Sequence, residues 1–213
     1  MILETRASPP FLKNGYVVGC PRTREGIVID PGDEAGALVA AVRAHALGVK
    51  YILLTHAHLD HVTGVGAVKD AFSAPAYLHR DDLPLYERVV QQAQMFGLEV
   101  EPPPPVDAFY DAQPLRFGDF EVRVHHTPGH CPGGVCLQIG AHLFVGDTLF
   151  AGSIGRTDLP GGDYAVLMRS ITEVLFPLGD EAVVHPGHGP DTTIGRERTT
   201  NPFVLEYVAS GRR

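Results

Sequence analysis

The sequence is poor in cysteine and has no long apolar run. Its 213 residues contain three cysteines, Cys20, Cys131 and Cys136. An odd number this small provides no disulfide framework, and free thiols are typical of a reducing compartment, so we expect a cytoplasmic protein. The absence of a basic-then-apolar leader agrees with that expectation. Because no apolar run approaches the roughly 20 residues that span a bilayer, we expect no membrane partner.

Positive charge is also scarce. Lysine and arginine together number 17 against 25 acidic residues, which gives a net charge of -8 with histidines neutral. This balance argues against a surface for nucleic acid or for anionic lipid. A small anionic substrate remains compatible with it, because bound divalent cations reverse the local field. A chain of this length commonly forms one layered α/β domain, so we predict a single domain over residues 1–213.

Metal-ligand side chains, by contrast, are concentrated directly after one apolar run. Residues 51–54 predict a buried strand, and His56, His58, Asp60 and His61 follow within eight residues. In an extended chain, residues two apart point the same way, so His56 and His58 can reach one metal ion. Asp60 and His61 are adjacent, diverge, and suit a second ion. The alternative, a polar loop with scattered histidines, is disfavoured because so dense a set of ligand types is typical of a cation site.

Strands and helices alternate through the rest of the chain, which predicts two sheets face to face with helices outside. Asn14-Gly15 predicts a hairpin turn, and residues 102–105, four prolines, are interpreted as a stiff surface connection rather than a domain linker. The predicted helices cover residues 34–47, 62–72, 81–96, 163–178 and 195 to the end. The other predicted strands cover residues 16–19, 26–30, 75–78, 120–125, 135–139, 143–145 and 182–184.

Three later strands also stop at glycine-containing loops that carry a metal-ligand residue. These loops contain His130, Asp147 and His188. Glycine allows the backbone to pass close to a ligand site, and loops at strand ends commonly carry active residues. The four loops together predict one metal centre that draws ligands from distant parts of the chain.

With these residues the chain resembles the metallo-β-lactamase superfamily, and within it glyoxalase II, the hydroxyacylglutathione hydrolases, in their small bacterial form. The stretches that carry the likeness, besides residues 55–61, are 94–97, 127–130, 146–150, 155–158 and 185–190. The resemblance implies a mixed α/β fold, a four-layer αββα sandwich. It also implies that His56, His58 and His130 hold a first metal ion, that Asp60, His61 and His188 hold a second, and that Asp147 bridges the two.

The resemblance implies hydrolysis of a small thioester such as S-lactoylglutathione. Two divalent ions sharing a hydroxide would supply the nucleophile, and imidazole with carboxylate suits zinc, iron or manganese. Asp60 and Asp147 are the candidate catalytic residues, one orienting the hydroxide and the other holding the metal spacing. Arg156 is the candidate contact for a substrate carboxylate.

The chain departs from the family pattern in two respects. Only a short tail follows His188, where larger glyoxalase II enzymes carry a helical domain that grips glutathione. Cys131 stands directly after His130, where a small hydroxyl residue is expected; we interpret it as a small buried side chain.

Other functions of the superfamily compete with the thioester hydrolase. A persulfide dioxygenase would use one iron held by His56, His130 and Asp147. A metal-binding protein without catalysis is disfavoured, because such carboxylate-bridged sites are usually open to water. The acidic balance disfavours a nuclease, whereas lactone or β-lactam hydrolysis depends on pocket shape rather than on ligands. His126 and His185 lie beside ligand loops, and we interpret both as structural or solvated histidines.

Overall fold

The computed structural model describes residues 1–211 and divides the chain into two compact units. The first unit comprises Met1–Val122 and the second begins at Arg123. The division lies inside a strand and not at the prolines of residues 102–105, which belong to the first unit. There the hydroxyl of Tyr86 donates a hydrogen bond of 2.7 Å to the carbonyl of Pro104, so the prolines form a connection within a unit. The prediction of one domain stays a prediction.

The first unit contains a six-stranded sheet in the order β1-β2-β3-β4-β5-β6. Strands β1 to β3 are antiparallel, and β3 to β6 are parallel. The strands are β1 Ile2–Ser8, β2 Lys13–Gly19, β3 Glu25–Ile29, β4 Gly48–Leu53, β5 Ala76–Leu78 and β6 Ala108–Phe109, followed by the hairpin of β7 Leu115–Phe117 and β8 Phe120–His126. The helices are α1 Ala35–Ala44, α2 Leu59–Val62, α3 Val65–Phe72, α4 Leu83–Tyr86 and α5 Val89–Met95, with a 3-10 turn at Arg80–Asp82.

The core of the first unit lies between this sheet and its helices. Val28, Ile52, Leu38 and Val65, from β3, β4, α1 and α3, are all fully buried in one cluster. Strands β3 and β4 are rich in β-branched residues, as is typical of parallel strands that are covered by other elements. Because parallel strands end at the same edge of a sheet, the residues that follow β3 and β4 lie near each other.

The second unit contains the end of β8 and a sheet in which β8, β9, β10, β13 and β14 are neighbours in that order. Strands β10 and β13 are parallel. The strands are β9 Val135–Ile139, β10 His142–Gly146, β11 Leu149–Phe150, β12 Ser153–Ile154, β13 Val183–Pro186 and β14 Thr192–Thr193. The helices are α6 Tyr164–Arg169, which continues through a π-helical segment, Ser170–Leu175, and a 3-10 turn, Phe176–Leu178, and then α7 Ile194–Thr200 and α8 Pro202–Ala209.

The core of this unit is built from β10, β13 and the helices. In this core the side chains are at most 1% exposed for Val145, Val184, Leu167 and Ile171. Asp163 caps α6, where its Oδ1 accepts a hydrogen bond from the Val166 amide, as acidic N-caps do. None of the helices within residues 1–211 has the length and apolar character needed to cross a membrane.

The predicted hairpin turn at Asn14-Gly15 is wrong. Both residues lie inside β2, and the chain reverses earlier, between Ser8 and Lys13. Gly15 is required for close approach and not for a turn, because a Cβ there would stand 2.1 Å from Oε1 of Glu34.

Three predicted helices differ from the observed ones. Residues 81–96 form a 3-10 turn and two short helices. The predicted helix at 62–72 begins only at Val65, because residues 59–62 form α2, which overlaps the histidine loop, residues 55–61. The predicted C-terminal helix divides into α7 and α8 at Asn201, which precedes Pro202; its last two residues lie outside the described part. The other predicted helices and strands are confirmed, with ends that shift by a few residues.

A buried ion pair joins three elements of the first unit. Lys13, at the start of β2, contacts the carboxylate of Glu34 and the carbonyl of Asp30, and Lys13 and Glu34 are 1% and 3% exposed. Oε1 of Glu34 also accepts a hydrogen bond of 3.0 Å from the Gly32 amide. The pair therefore holds the turn after β3 in place.

Replacing Lys13 by methionine is expected to lower the free energy of unfolding by about 3–5 kcal/mol, because the buried carboxylate of Glu34 loses its cation. Urea unfolding of the metal-free protein measures the change. The matched control is Arg22→Ala, which breaks an exposed ion pair with Asp119 in the same unit; exposed pairs contribute little. A Lys13→Met protein as stable as Arg22→Ala would contradict this role of the pair.

Candidate metal centre

The first unit brings together four of the predicted ligands directly after β4. The ring centroids of His56 and His58 are 4.9 Å apart, and those of His56 and His61 are 4.0 Å apart. Nε2 of His61 lies 3.8 Å from Oδ2 of Asp60. The three histidines are buried, and Asp60 is partly buried. These four side chains therefore lie together within this unit, and their role as metal ligands stays a prediction.

A buried carboxylate, Asp30, supports two of these histidines. Its Oδ2 lies 3.0 Å from Nδ1 of His61 and accepts a hydrogen bond of 2.6 Å from the Thr55 hydroxyl. Its Oδ1 accepts a second bond of 2.6 Å from the Thr55 amide. A histidine whose Nδ1 donates to a carboxylate presents Nε2 to a metal ion, and this arrangement is typical of metal-binding histidines.

The same network defines the tautomer of His56. Oγ1 of Thr55 lies 3.1 Å from Nδ1 of His56. The single proton of this hydroxyl is already donated to Asp30, so the ring nitrogen is the donor and Oγ1 accepts. The lone pair of His56 therefore lies on Nε2, the form that a metal ligand requires. The geometry of Asp30, Thr55, His56 and His61 fits a bound cation.

The second unit brings together the other three predicted ligands. Oδ2 of Asp147 lies 3.7 Å from Nε2 of His130 and 3.5 Å from Nε2 of His188. Both distances exceed the usual length of a hydrogen bond, as they do between ligands that share an ion. Asp147 and His188 follow the parallel strands β10 and β13, which explains why they lie at one edge. That the two sets of ligands act as one site stays a prediction.

His130 is held from behind by the backbone. Its Nδ1 donates a hydrogen bond of 2.8 Å to the carbonyl of Arg156, which leaves Nε2 as the ligand atom. Gly155 makes this contact possible: a Cβ there would stand 1.8 Å from the Asp147 carbonyl. The stretch at residues 155–158 therefore supports the predicted ligand His130 through its main chain.

Residues 8–192 match the family model of the metallo-beta-lactamase superfamily. The chain belongs to this superfamily. A relative from Haemophilus influenzae, named hydroxyacylglutathione hydrolase GloC, is 39% identical over 191 residues, which cover 85% of this chain and 88% of that protein.

Solved structures of the superfamily confirm the predicted fold class, a mixed α/β fold of the metallo-β-lactamase type. BLEG-1, named a B3 metallo-beta-lactamase, superposes with a TM-score of 0.89 at 39% identity and covers 95% of this chain and 99% of its own. TTHA1623, solved in a di-iron-bound form, gives 0.83 at 43% identity, with 94% and 99% covered. ETHE1 from Myxococcus xanthus gives 0.77 at 26% identity, with 100% and 92% covered.

The structure also shows the contacts of four other residues that the sequence analysis singled out, Arg156, Cys131, His185 and His126. The Arg156 guanidinium pairs with Asp158 through two hydrogen bonds of 2.7 Å, and this contact lowers the pKa of the Asp158 carboxyl to about 2. Cys131 is buried, as interpreted, and does not form a disulfide. His185 contacts His142 at 2.9 Å and Asp191 at 3.0 Å, and Nε2 of His126 lies 2.9 Å from the Pro132 carbonyl, which agrees with structural roles for both.

Asp30 was missed by the sequence analysis. A signal for it exists, because an aspartate ends an apolar strand, and β3 runs parallel to the strand that carries the histidine loop. The pairing of β3 with β4 is not visible in the order of residues, so the aspartate could not be connected with His61.

Substituting Asp30 by asparagine is expected to weaken zinc binding about 10- to 100-fold. The asparagine side chain has only one acceptor oxygen, so it cannot accept from the Thr55 amide as well as from His61 and the Thr55 hydroxyl. Competition with a chromophoric chelator measures this affinity. Asp33→Asn, an exposed change three residues away, controls for the loss of one negative charge. Equal zinc affinity in the two variants would refute the support role of Asp30.

Proposed function

We propose that this protein is a binuclear metal-dependent hydrolase that cleaves a thioester such as S-lactoylglutathione. His56, His58 and His130 would hold one divalent ion, Asp60, His61 and His188 the other, and Asp147 would bridge them. The observation that carries the proposal is the orientation of His61 and His130, whose Nδ1 atoms contact a carboxylate and a carbonyl. A histidine that is hydrogen-bonded through Nδ1 in this way binds a metal ion through Nε2. The likeness to a hydroxyacylglutathione hydrolase supports the choice of substrate class.

The ligand set consists of imidazoles and carboxylates without thiolate, which suits zinc, iron or manganese. Two such ions, when bound, supply an activated hydroxide and polarise the substrate carbonyl. Asp60, whose side chain is 12% exposed, would orient the attacking water. A thiolate leaving group has a pKa of roughly 8.5, so its departure requires little protonation and no separate general acid.

Arg156 is the proposed contact for a carboxylate of the substrate. Its guanidinium already binds the Asp158 carboxylate in the bidentate geometry that a substrate carboxylate would use. The carboxylate of a bound substrate would replace that of Asp158 on the Arg156 guanidinium. The Arg156 carbonyl that holds His130 belongs to the main chain, so the two roles of this residue are separable by mutation.

A mononuclear iron persulfide dioxygenase is the second candidate, and the likeness to ETHE1 favours it. That reaction would use His56, His130 and Asp147 alone. The hydrolase accounts for more of the chain, because Asp60, His61 and His188 would then also have a function as ligands.

Metal analysis of the purified protein combined with three assays tests the proposal. The assays are hydrolysis of S-lactoylglutathione, oxygen uptake with glutathione persulfide, and hydrolysis of a β-lactam. Two metal ions per chain with rapid thioester cleavage would support the proposed function. One iron per chain with oxygen uptake would replace it with the dioxygenase, and preferred cleavage of the β-lactam would change the substrate class.

Replacing Asp147 by alanine is expected to reduce metal content below two ions per chain and to reduce turnover by at least about 100-fold, since even partners outside the ligand shell contribute 10- to 100-fold. Elemental analysis and initial rates measure the two effects. Asp180→Ala removes a carboxylate of the same unit that pairs with Arg198 at the surface and serves as the control. Unchanged metal content and turnover in Asp147→Ala would exclude the bridging role.

Replacing Arg156 by alanine is expected to raise KM for S-lactoylglutathione about 10- to 100-fold, because a charge-assisted hydrogen bond contributes about 1.5–3 kcal/mol. The value of kcat should change little, since the carbonyl that supports His130 is retained. A thioester without carboxylates is the control substrate, and its KM should not change. An equal rise for both substrates would show that Arg156 does not recognise a carboxylate.

A further inference from the structure

The helical segment at residues 80–95 forms hydrogen bonds with the backbone of Ala57 and Leu59, the two residues that flank His58. Oε1 of Gln92 accepts a hydrogen bond of 3.1 Å from the Leu59 amide. Nε2 of Gln92 donates to the Ala57 carbonyl at 3.1 Å and to the Leu85 carbonyl at 2.8 Å. One side chain therefore binds the backbone immediately before and immediately after His58.

The hydrogen bonds define the orientation of the Gln92 amide. Its oxygen faces an N–H group and both of its N–H groups face carbonyls, so a flipped amide would oppose donor to donor and acceptor to acceptor. The Leu59 amide begins α2 and has no acceptor within its own helix. Because Leu59 is only 4% exposed, loss of the Gln92 oxygen would leave this amide without a replacement from water.

Asp82, in the same segment, binds the backbone next to His58 as well. Its Oδ2 accepts a hydrogen bond of 2.9 Å from the Ala57 amide, and the residue is fully buried. Both polar groups of Ala57 and the amide of Leu59 are thus bound by Asp82 and Gln92. His58 itself is in extended conformation, with φ -73° and ψ 150°, so its side-chain direction depends on these flanking peptides.

The support of His58 is separate from the support of the other two histidines. Asp30 contacts His61 directly and His56 through Thr55. Among the residues that follow β4, Gln92 binds only the backbone on either side of His58. In the proposed ligand sets, His58 belongs to one cation, and the residues that depend on Asp30 belong to both. The two supports should therefore affect the two cations differently.

We propose that Gln92 is a positioning residue for His58 that selectively determines the affinity of the cation bound by His58. This inference rests on the proposed binuclear site and not on the identity of the substrate. Loss of Gln92 should weaken one of the two cations, whereas loss of Asp30 should weaken both.

The test is zinc titration of metal-free protein in competition with a chromophoric chelator, which reports each zinc ion without any turnover. The variant is Gln92→Met, which keeps the length and helix propensity of the side chain but removes all three hydrogen bonds. Gln91→Met is the matched control, because Gln91 is an exposed glutamine on the same helix. His58→Ala identifies which of the two binding steps uses His58.

In Gln92→Met we expect the step that His58→Ala abolishes to weaken about 10- to 100-fold, with the other step unchanged. Gln91→Met should titrate like the wild type. Hydrogen exchange of the metal-free proteins adds a local readout, in which the Leu59 amide loses protection while the amide of buried Ile52 keeps it. If Gln92→Met does not fold, Gln92→Asn, which is one methylene shorter and cannot keep all three bonds, takes its place.

Equal weakening of both steps, or wild-type affinity for both, would overturn the inference. A wild-type protein that binds fewer than two zinc ions, or in which His58→Ala has no effect, would overturn the proposed site together with it. A wild type with two steps, one of them lost in His58→Ala and neither changed in Gln92→Met, would overturn only the role of Gln92.

Discussion

The buried carboxylate of Asp30 is the interaction on which the candidate centre of the first unit depends. It accepts hydrogen bonds from the amide and hydroxyl of Thr55 and lies within bonding distance of His61. Burial of a carboxylate is costly unless it is hydrogen-bonded, so the loop around it has little freedom to rearrange. The turn that carries Asp30 is itself held by the buried pair of Lys13 and Glu34. Core packing and the candidate metal site are thus joined through one residue.

The two units share one principle of construction. In each, two parallel strands end at the same edge, β3 with β4 and β10 with β13, and predicted ligands lie in the loops after β4, β10 and β13. In each, a histidine predicted to be a ligand is fixed through Nδ1, by a carboxylate for His61 and by a carbonyl for His130. Ligands fixed in this way need little reorganisation when a cation binds, which favours affinity.

Membership of the metallo-β-lactamase superfamily defines the fold and leaves the reaction to the residues around the metal. Proteins similar to this chain carry names as different as a hydroxyacylglutathione hydrolase, a β-lactamase and ETHE1. The Arg156 guanidinium, bound to Asp158 in carboxylate geometry, is the feature that bears most directly on substrate choice. In the proposed function this guanidinium binds a carboxylate of the substrate.

Local pattern alone determined the strands, the approximate positions of the helices and the candidate ligands, because hydrophobic periodicity and the density of histidine and aspartate are visible in short windows of sequence. The resemblance to a known family added the expected grouping of those ligands. Asp30, Asp82 and Gln92 escaped detection because each acts on a residue 25 to 35 positions away. The prediction of a hairpin turn at Asn14-Gly15 was wrong for the same reason, since the close approach of Glu34 to Gly15 arises only in the folded chain. Residue type and spacing therefore specified which side chains have the chemistry of ligands, whereas only the tertiary structure decided which buried groups orient them, because strand pairing and helix packing bring together residues that the sequence keeps apart.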